Sequence, residues 1–276
     1  MTRAEEDHRG GAPCPLEELD QKTCRGLVAL FTDIDGTMTD ADGRIPARSF
    51  AAMERVSATG LPVVVVTGRP AGWCDMIART WPVHGVVGEN GGLALWIEGG
   101  RMLREYVEDA DTRAGHASRL ERIAADALAQ VPGCAIAADQ PYRELDLAVD
   151  FAEDVAPLDD AAIDRIVAVF ARHGAHAKVS NIHVNGWFGD YDKLGMCRRM
   201  AGRWFELDLD DDAGHATFLG DSPNDEPMFA HFPHAIGVAN VRRFLGRLRH
   251  APGYVTGGDG AVGFGEALDH IASHRA

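Results

Sequence analysis

From Leu27 onward the chain alternates short, uninterrupted apolar runs with stretches of helical periodicity; the runs fall at 27–31, 63–66, 83–87, 217–219 and 235–238. A strand that is apolar at every position is covered on both faces, so this rhythm predicts an α/β protein with a doubly wound parallel sheet. Ligands of such sheets sit beyond the carboxyl ends of the strands. The polar residues that follow each run are therefore the first candidates: Asp33 and Asp35, then Thr67-Gly68-Arg69, Glu89-Asn90-Gly91-Gly92, and Gly220-Asp221-Ser222-Pro223-Asn224-Asp225.

Between Thr67 and Lys193 the chain is far longer than one strand–helix unit of roughly thirty residues, so a module is inserted there. Its pattern predicts a helix over 113–130, a strand at 134–138, an alternating strand at 145–151, a helix over 159–172 and strands at 175–179 and 182–184. This αββαββ order describes an α+β cap with helices on one face of its sheet. Alternation along 145–151 predicts one buried and one wet face. The expected division is a flexible tail over 1–25, a core formed by 26–105 and 186–276, and a cap over 106–185.

Charge narrows the partners. With 42 acidic and 27 basic residues the formal charge is -15, which disfavours nucleic acid or an anionic membrane. An anionic substrate then needs a metal ion, a lysine and backbone amides to reverse the field locally. The five cysteines are scattered and form no CxxC pair, so neither a disulfide framework nor a structural zinc site is expected, and a reducing cytoplasm fits. No apolar leader or bilayer-length segment is seen.

Asp33 and Asp35 stand two residues apart after a buried strand. A carboxylate attacks phosphorus without prior deprotonation, which suits Asp33 as nucleophile. Asp35, if held protonated by its neighbour, suits the acid and then the base. An isolated DxDG is as readily an ordinary acidic turn; the other strand ends weigh against that. Thr67 and Gly68 offer a hydroxyl and an unshielded amide to phosphate. Arg69 suits a phosphate contact or a brace for a carboxylate equally. Lys193 is either a surface lysine or a charge brought to the nucleophile. Asp221 and Asp225 supply hard oxygen ligands for magnesium, although Asp225 also suits a supporting or capping role.

Asp33-Ile34-Asp35-Gly36-Thr37, Thr67-Gly68-Arg69, Lys193 and Gly220–Asp225 together resemble the four ordered motifs of the haloacid dehalogenase superfamily, with its Rossmann-like core. The resemblance implies Mg2+ held by Asp33, the backbone carbonyl of Asp35, and Asp221, with phosphate held by Thr67, Gly68, Lys193 and Asn224. An acid at position 35 fits the phosphatases and phosphomutases, not the dehalogenases. The insertion resembles the α/β cap of the sucrose-phosphatase, mannosyl-phosphoglycerate-phosphatase and phosphomannomutase branch, which implies hydrolysis of a small phosphorylated metabolite, a sugar phosphate first. A long stretch before Lys193 and Leu194 in place of a common Gly depart from the pattern. A phosphomutase is the alternative, and a regulatory binding protein is disfavoured because both aspartates are kept.

Cap residues Arg143, Lys178, His183 and Asn185 are the candidates for selectivity. The remaining histidines and the acidic run 208–212 suit surface or packing roles. Trp187 and Phe188 suit core packing at least as well as a sugar platform.

Overall fold

Two apolar cores, one on each face of a large sheet, explain the strands that are apolar at every position. The computed structural model describes residues 12–276. The chain runs through β1 (Cys14–Pro15), α1 (Gln21–Gly26), β2 (Ala29–Thr32), α2 (Ala47–Ala58), β3 (Val63–Val66), α3 (Ala71–Thr80), β4 (Gly85–Gly88), β5 (Leu93–Glu98) and β6 (Arg101–Tyr106). It continues with α4 (Ala110–Gln130), β7 (Ala135–Ile136), β8 (Asp146–Asp150), α5 (Asp160–Arg172), β9 (His176–Val179) and β10 (His183–Trp187). It closes with α6 (Lys193–Phe205), β11 (Ala216–Gly220), α7 (Glu226–His231), β12 (Ile236–Gly237), β13 (Tyr254–Val255) and α8 (Gly260–Arg275).

Nine strands form one sheet in the order β1-β13-β12-β11-β2-β3-β4-β5-β6. The seven from β1 to β4 are parallel, while β5 and β6 are antiparallel. Side chains alternate between faces: Leu30, Val63 and Val65 join the core under α2, α3 and α8, whereas Phe31, Val64 and Val66 join the core under α6 and α7. The chain goes one way from β2 to β3 and the other way to β11, so the strand order reverses at β2. That is where a crevice opens beyond the strand ends.

The smaller sheet, β7-β8-β10-β9, is antiparallel and packs Leu147, Val149 and Val184 against Ile123 of α4 and Ile166 and Phe170 of α5. Asp109 and Asp159 start these two helices by accepting the amides of Thr112 and Ala162. All six predicted elements of the inserted module are present, with β10 running two residues beyond the expected boundary at 185.

Three expectations change. Residues 12–25 are not a flexible tail: β1 pairs with β13, and Leu16, Leu19 and Cys24 are buried, because this segment closes the sheet edge and covers α8. Residues 1–11 of that expected tail lie outside the described residues. The hairpin β5–β6 has no counterpart among the predicted strands. It turns at Gly99 and Gly100, both with positive φ, and β6 is too polar to register as an apolar run because it is an outer strand. Finally, β8 has no wet face: Asp146 and Asp150 are as buried as Leu147 and Val149. Their carboxylates find partners inside the protein, Asp146 in Arg143 and Asn185, Asp150 in the amides of residues 152–154. Among the described residues no helix is long and apolar enough to cross a membrane.

Candidate active site

Backbone bonds between neighbouring strands aim the polar residues that follow them. Asp33 donates its amide to Leu219 O of β11 at 2.9 Å, so its side chain leaves β2 beside the loop that follows β11. At Gly36 the chain turns with φ of +82°, and a β-carbon there would lie 2.3 Å from Asp221 Oδ2. Glycine lets the two acidic loops close on each other. Lys193 is the first residue of α6, whose start is capped by Asp192 accepting the Gly195 amide at 2.7 Å.

Lys193 Nζ donates to Asp33 Oδ1 at 2.7 Å and to Asp225 Oδ1 at 3.2 Å. Asp225 is wholly buried, and its other oxygen accepts the amides of Asp221 and Ser222. It thereby holds both the lysine and the loop. Asp33, Asp221 and Asp225 bring one oxygen each to within 4.8 Å of one another. Burial, only partly offset by Lys193 and reinforced by Asp225 and Asp35, pushes Asp33 up to about 7. Burial, then Asp33 and Asp225, push Asp221 up to about 8. Burial works against the charge on Lys193, but Asp33 and Asp225 beside it hold its pKa above the ordinary value.

Three buried carboxylates against one ammonium leave an excess of negative charge, and every donor is a hard oxygen. The cluster therefore fits a small divalent cation such as Mg2+.

Above this floor lies a cavity of about 490 Å³. Asp33, Asp35, Gly68, Arg69, Lys193 and Asn224 line it from the large sheet, and Arg143, Lys178, His183 and Asn185 from the smaller one. Thr67, Asp221 and Asp225 are not among its lining residues. Thr67 is fully buried and its hydroxyl accepts the Arg69 amide at 3.1 Å. Arg69 takes the bracing role: its Nε donates to Asp35 Oδ2 at 3.0 Å and its Nη2 to Asp35 Oδ1, while its guanidinium lies over the Trp73 ring. Asp35 remains more than half exposed at the cavity wall.

The cap residues divide. All three nitrogens of Arg143 are engaged, with Asp139, Asp146 and Gly68 O, and its side chain is buried. As placed, it joins the two sheets rather than offering a donor to a ligand. His183 Nε2 lies 2.8 Å from Glu153 Oε2, at an angle too oblique for a hydrogen bond. Lys178 reaches down from β9, its Nζ 3.3 Å from Asn224 O, and burial, with Lys193 nearby, lowers its pKa to about 8. Asn185 donates to Asp146.

Two contributors escaped the sequence reading. Asn240 donates to Asp221 Oδ2 at 2.9 Å and to Gly36 O at 3.1 Å, and so ties the acidic loops together. It follows the apolar run 235–238, so the strand-end rule applied once more finds it. Glu89 belongs to the strand-end segment Glu89-Asn90-Gly91-Gly92, but its role in the cap is decided by tertiary contacts. It accepts the amides of Ala71, Glu144, Leu145 and Asp146 and thus anchors the cap; burial first, then Asp146, pushes its carboxyl up, while these amides oppose the shift.

Residues 30–114 match a family model of haloacid dehalogenase-like hydrolases. A phosphoglycolate phosphatase of Natronomonas pharaonis is 29% identical over 257 residues, 90% of this chain and 100% of the relative. Among solved structures, the Thermoplasma acidophilum protein 0175 superposes with a TM-score of 0.69 at 18% identity, over 89% of this chain and 98% of that one. The C-terminal domain of the C. albicans trehalose-6-phosphate phosphatase gives 0.70 at 12% identity, over 95% and 99%.

Proposed function

We propose, from the match of residues 30–114 to haloacid dehalogenase-like hydrolases, that the chain is a Mg2+-dependent phosphomonoesterase working through a phosphorylated Asp33. The observation that carries this reading is the Asp33–Lys193–Asp225 cluster, with Asp221 beside it, on the floor of a cavity whose wall holds Asp35. Asp33, Asp221 and the backbone carbonyl of Asp35 would hold the cation, which when bound offsets the repulsion between carboxylate and phosphate. An oxygen of Asp33 forms the new bond to phosphorus as the ester bond breaks, and Asp35 gives its proton to the departing oxygen. Asp35 then takes a proton from water, whose oxygen attacks phosphorus and breaks the bond to Asp33. Lys193 neutralises the nucleophile and the phosphoryl oxygens, and Gly68 and Asn224 are contacts for the latter.

The far end of the cavity supports a hydroxylated, uncharged leaving group, a sugar first. Ser180, Asn181 and Asn185 line the cap side of the cavity together with Asp139, Glu153 and Asp154, while Arg143 is already engaged with carboxylates. A leaving group with its own carboxylate would meet repulsion there. Phosphoglycolate is the second reading, favoured by Lys178: a two-carbon acid need not reach the far wall, and its carboxylate would stay beside this lysine. The five unpaired cysteines support a reducing cytoplasm.

The test is release of inorganic phosphate from a panel of sugar phosphates and phosphoglycolate, with Mg2+ and without an activating bisphosphate. Preference for a sugar phosphate is expected. Preference for phosphoglycolate would replace the sugar reading, a need for a bisphosphate would point to the mutase, and full turnover under rigorous chelation would sink the metal-dependent mechanism.

A further inference from the structure

On the far side of the sheet from α6, the first and last helices meet around three metal-ligating side chains that the phosphatase reading does not use. Cys24 of α1 is fully buried, and His270 and His274 stand one turn apart on α8. One ligating atom from each lies within 4.8 Å of the other two. The rings of the two histidines overlap, with centroids 4.2 Å apart.

One nitrogen of each ring is turned to the backbone. His270 Nε2 is 2.7 Å from Leu19 O, and His274 Nδ1 is 2.8 Å from His270 O. A carbonyl only accepts, so each of these nitrogens carries a ring proton, and in the neutral ring the other nitrogen keeps its lone pair. Metal-binding histidines are fixed in this way, with one nitrogen on a carbonyl and the other free to ligate. Thiolate with two imidazoles is a donor set for zinc, and three protein ligands leave a fourth position for water.

We propose that Cys24, His270 and His274 form a zinc site that fastens α1 to α8. Burial, with Asp20 adding to it, pushes the Cys24 thiol up to about 11, so the apo site holds a thiol. Zinc binding forms the S–Zn bond as that proton leaves to solvent, and the thiolate and two neutral imidazoles leave one net positive charge on the site. The site lies apart from the phosphate cavity, so it stabilises the closure of the chain ends and leaves turnover unchanged.

The experiment titrates ZnCl2 into chelator-stripped full-length protein held in saturating Mg2+, which occupies the carboxylate cluster. One equivalent should bind tightly, release a proton and raise the thermal midpoint. Cys24→Ser and His274→Gln should each lose about 100-fold or more in zinc affinity, with p-nitrophenyl phosphate turnover unchanged. Co2+ should give a thiolate charge-transfer band that vanishes in Cys24→Ser and persists in Asp221→Asn. Should Cys24→Ser fail to fold, the half-buried His274→Gln carries the test. Equal zinc affinity in wild type and His274→Gln, or no charge-transfer band in wild type, overturns the proposal.

Discussion

The floor and the roof of the cavity solve the problem of charge in opposite ways. On the floor, Asp33, Asp221 and Asp225 crowd around one lysine, and burial first, then the neighbouring carboxylates, raises the pKa of the first two. On the roof, charges are tied to fixed protein partners: the one guanidinium of Arg143 spans Asp139 and Asp146, and the wall stays acidic through Glu153 and Asp154. An uncompensated cluster is costly to bury and suits a cation and a phosphate. A compensated one holds shape. Charge by itself thus does not mark a binding residue; what the charge is already tied to does.

The comparison breaks most severely if the floor is not the reacting part. Asp33→Asn should lower kcat by about 10⁴-fold or more and give no covalent phosphate. Asp35→Asn, which keeps the backbone carbonyl, should give a burst of nitrophenolate from p-nitrophenyl phosphate and accumulate phosphorylated enzyme. Rapid mixing and intact mass read both. Substantial activity in Asp33→Asn together with an unphosphorylated Asp35→Asn enzyme means that the roles are misassigned.

Next in size is Arg143→Ala. It leaves Asp146 buried with Asn185 but without its charged partner, which costs about 3–5 kcal/mol, and denaturant melts should show it. Turnover of sugar phosphate and of p-nitrophenyl phosphate should fall together, as expected of a strut; a change confined to the sugar phosphate would return Arg143 to the recognition surface.

Glu153→Gln sharpens the roof itself. Removing one half-exposed acidic group from the cap wall should raise kcat/KM for carboxylate-bearing phosphoesters by about 5-fold, on the order of one exposed charge pair, while p-nitrophenyl phosphate is unaffected. Parallel changes in both would place the residue outside recognition.

The smallest effect belongs to Lys178, a roof residue whose ammonium reaches Asn224 O on the floor. Its folded pKa, lowered to about 8, lies below the unfolded value, so between about pH 8 and 10.5 the unfolded chain binds more protons. The penalty for charging Lys178 is fully present below pH 8 and fades as pH rises through this window. Lys178→Met should therefore be stabilising at pH 7 and neutral near pH 10.5. In wild type the KM should rise above pH 8 as the ammonium is lost, and in Lys178→Met that rise should be absent. A shared KM profile removes Lys178 from substrate binding.

Much of the floor was legible because its residues are short-range consequences of strands. A strand buried on both faces shows itself as Val63–Val66, and the residue that ends it has nowhere to go but the crevice. Asp33, Asp35 and Asn224 lie in such strand-end segments, whereas Lys193 opens a helix and is legible only through its resemblance to a family motif, and the order of elements in the cap through its periodicity.

Partnership was not legible, because it depends on distances between residues far apart in the chain. Only the folded structure decided that Arg69 braces Asp35, that Arg143 is a strut, that Asn240 ties two loops, and that polar Asp146 lies buried. It also brought Cys24 to two histidines some 250 positions away, where spacing along the chain gave no sign of a metal site. The physical reason is common to these cases. Hydrophobic periodicity records which way a side chain faces, whereas the partner that satisfies a buried charge is chosen by packing of whole elements.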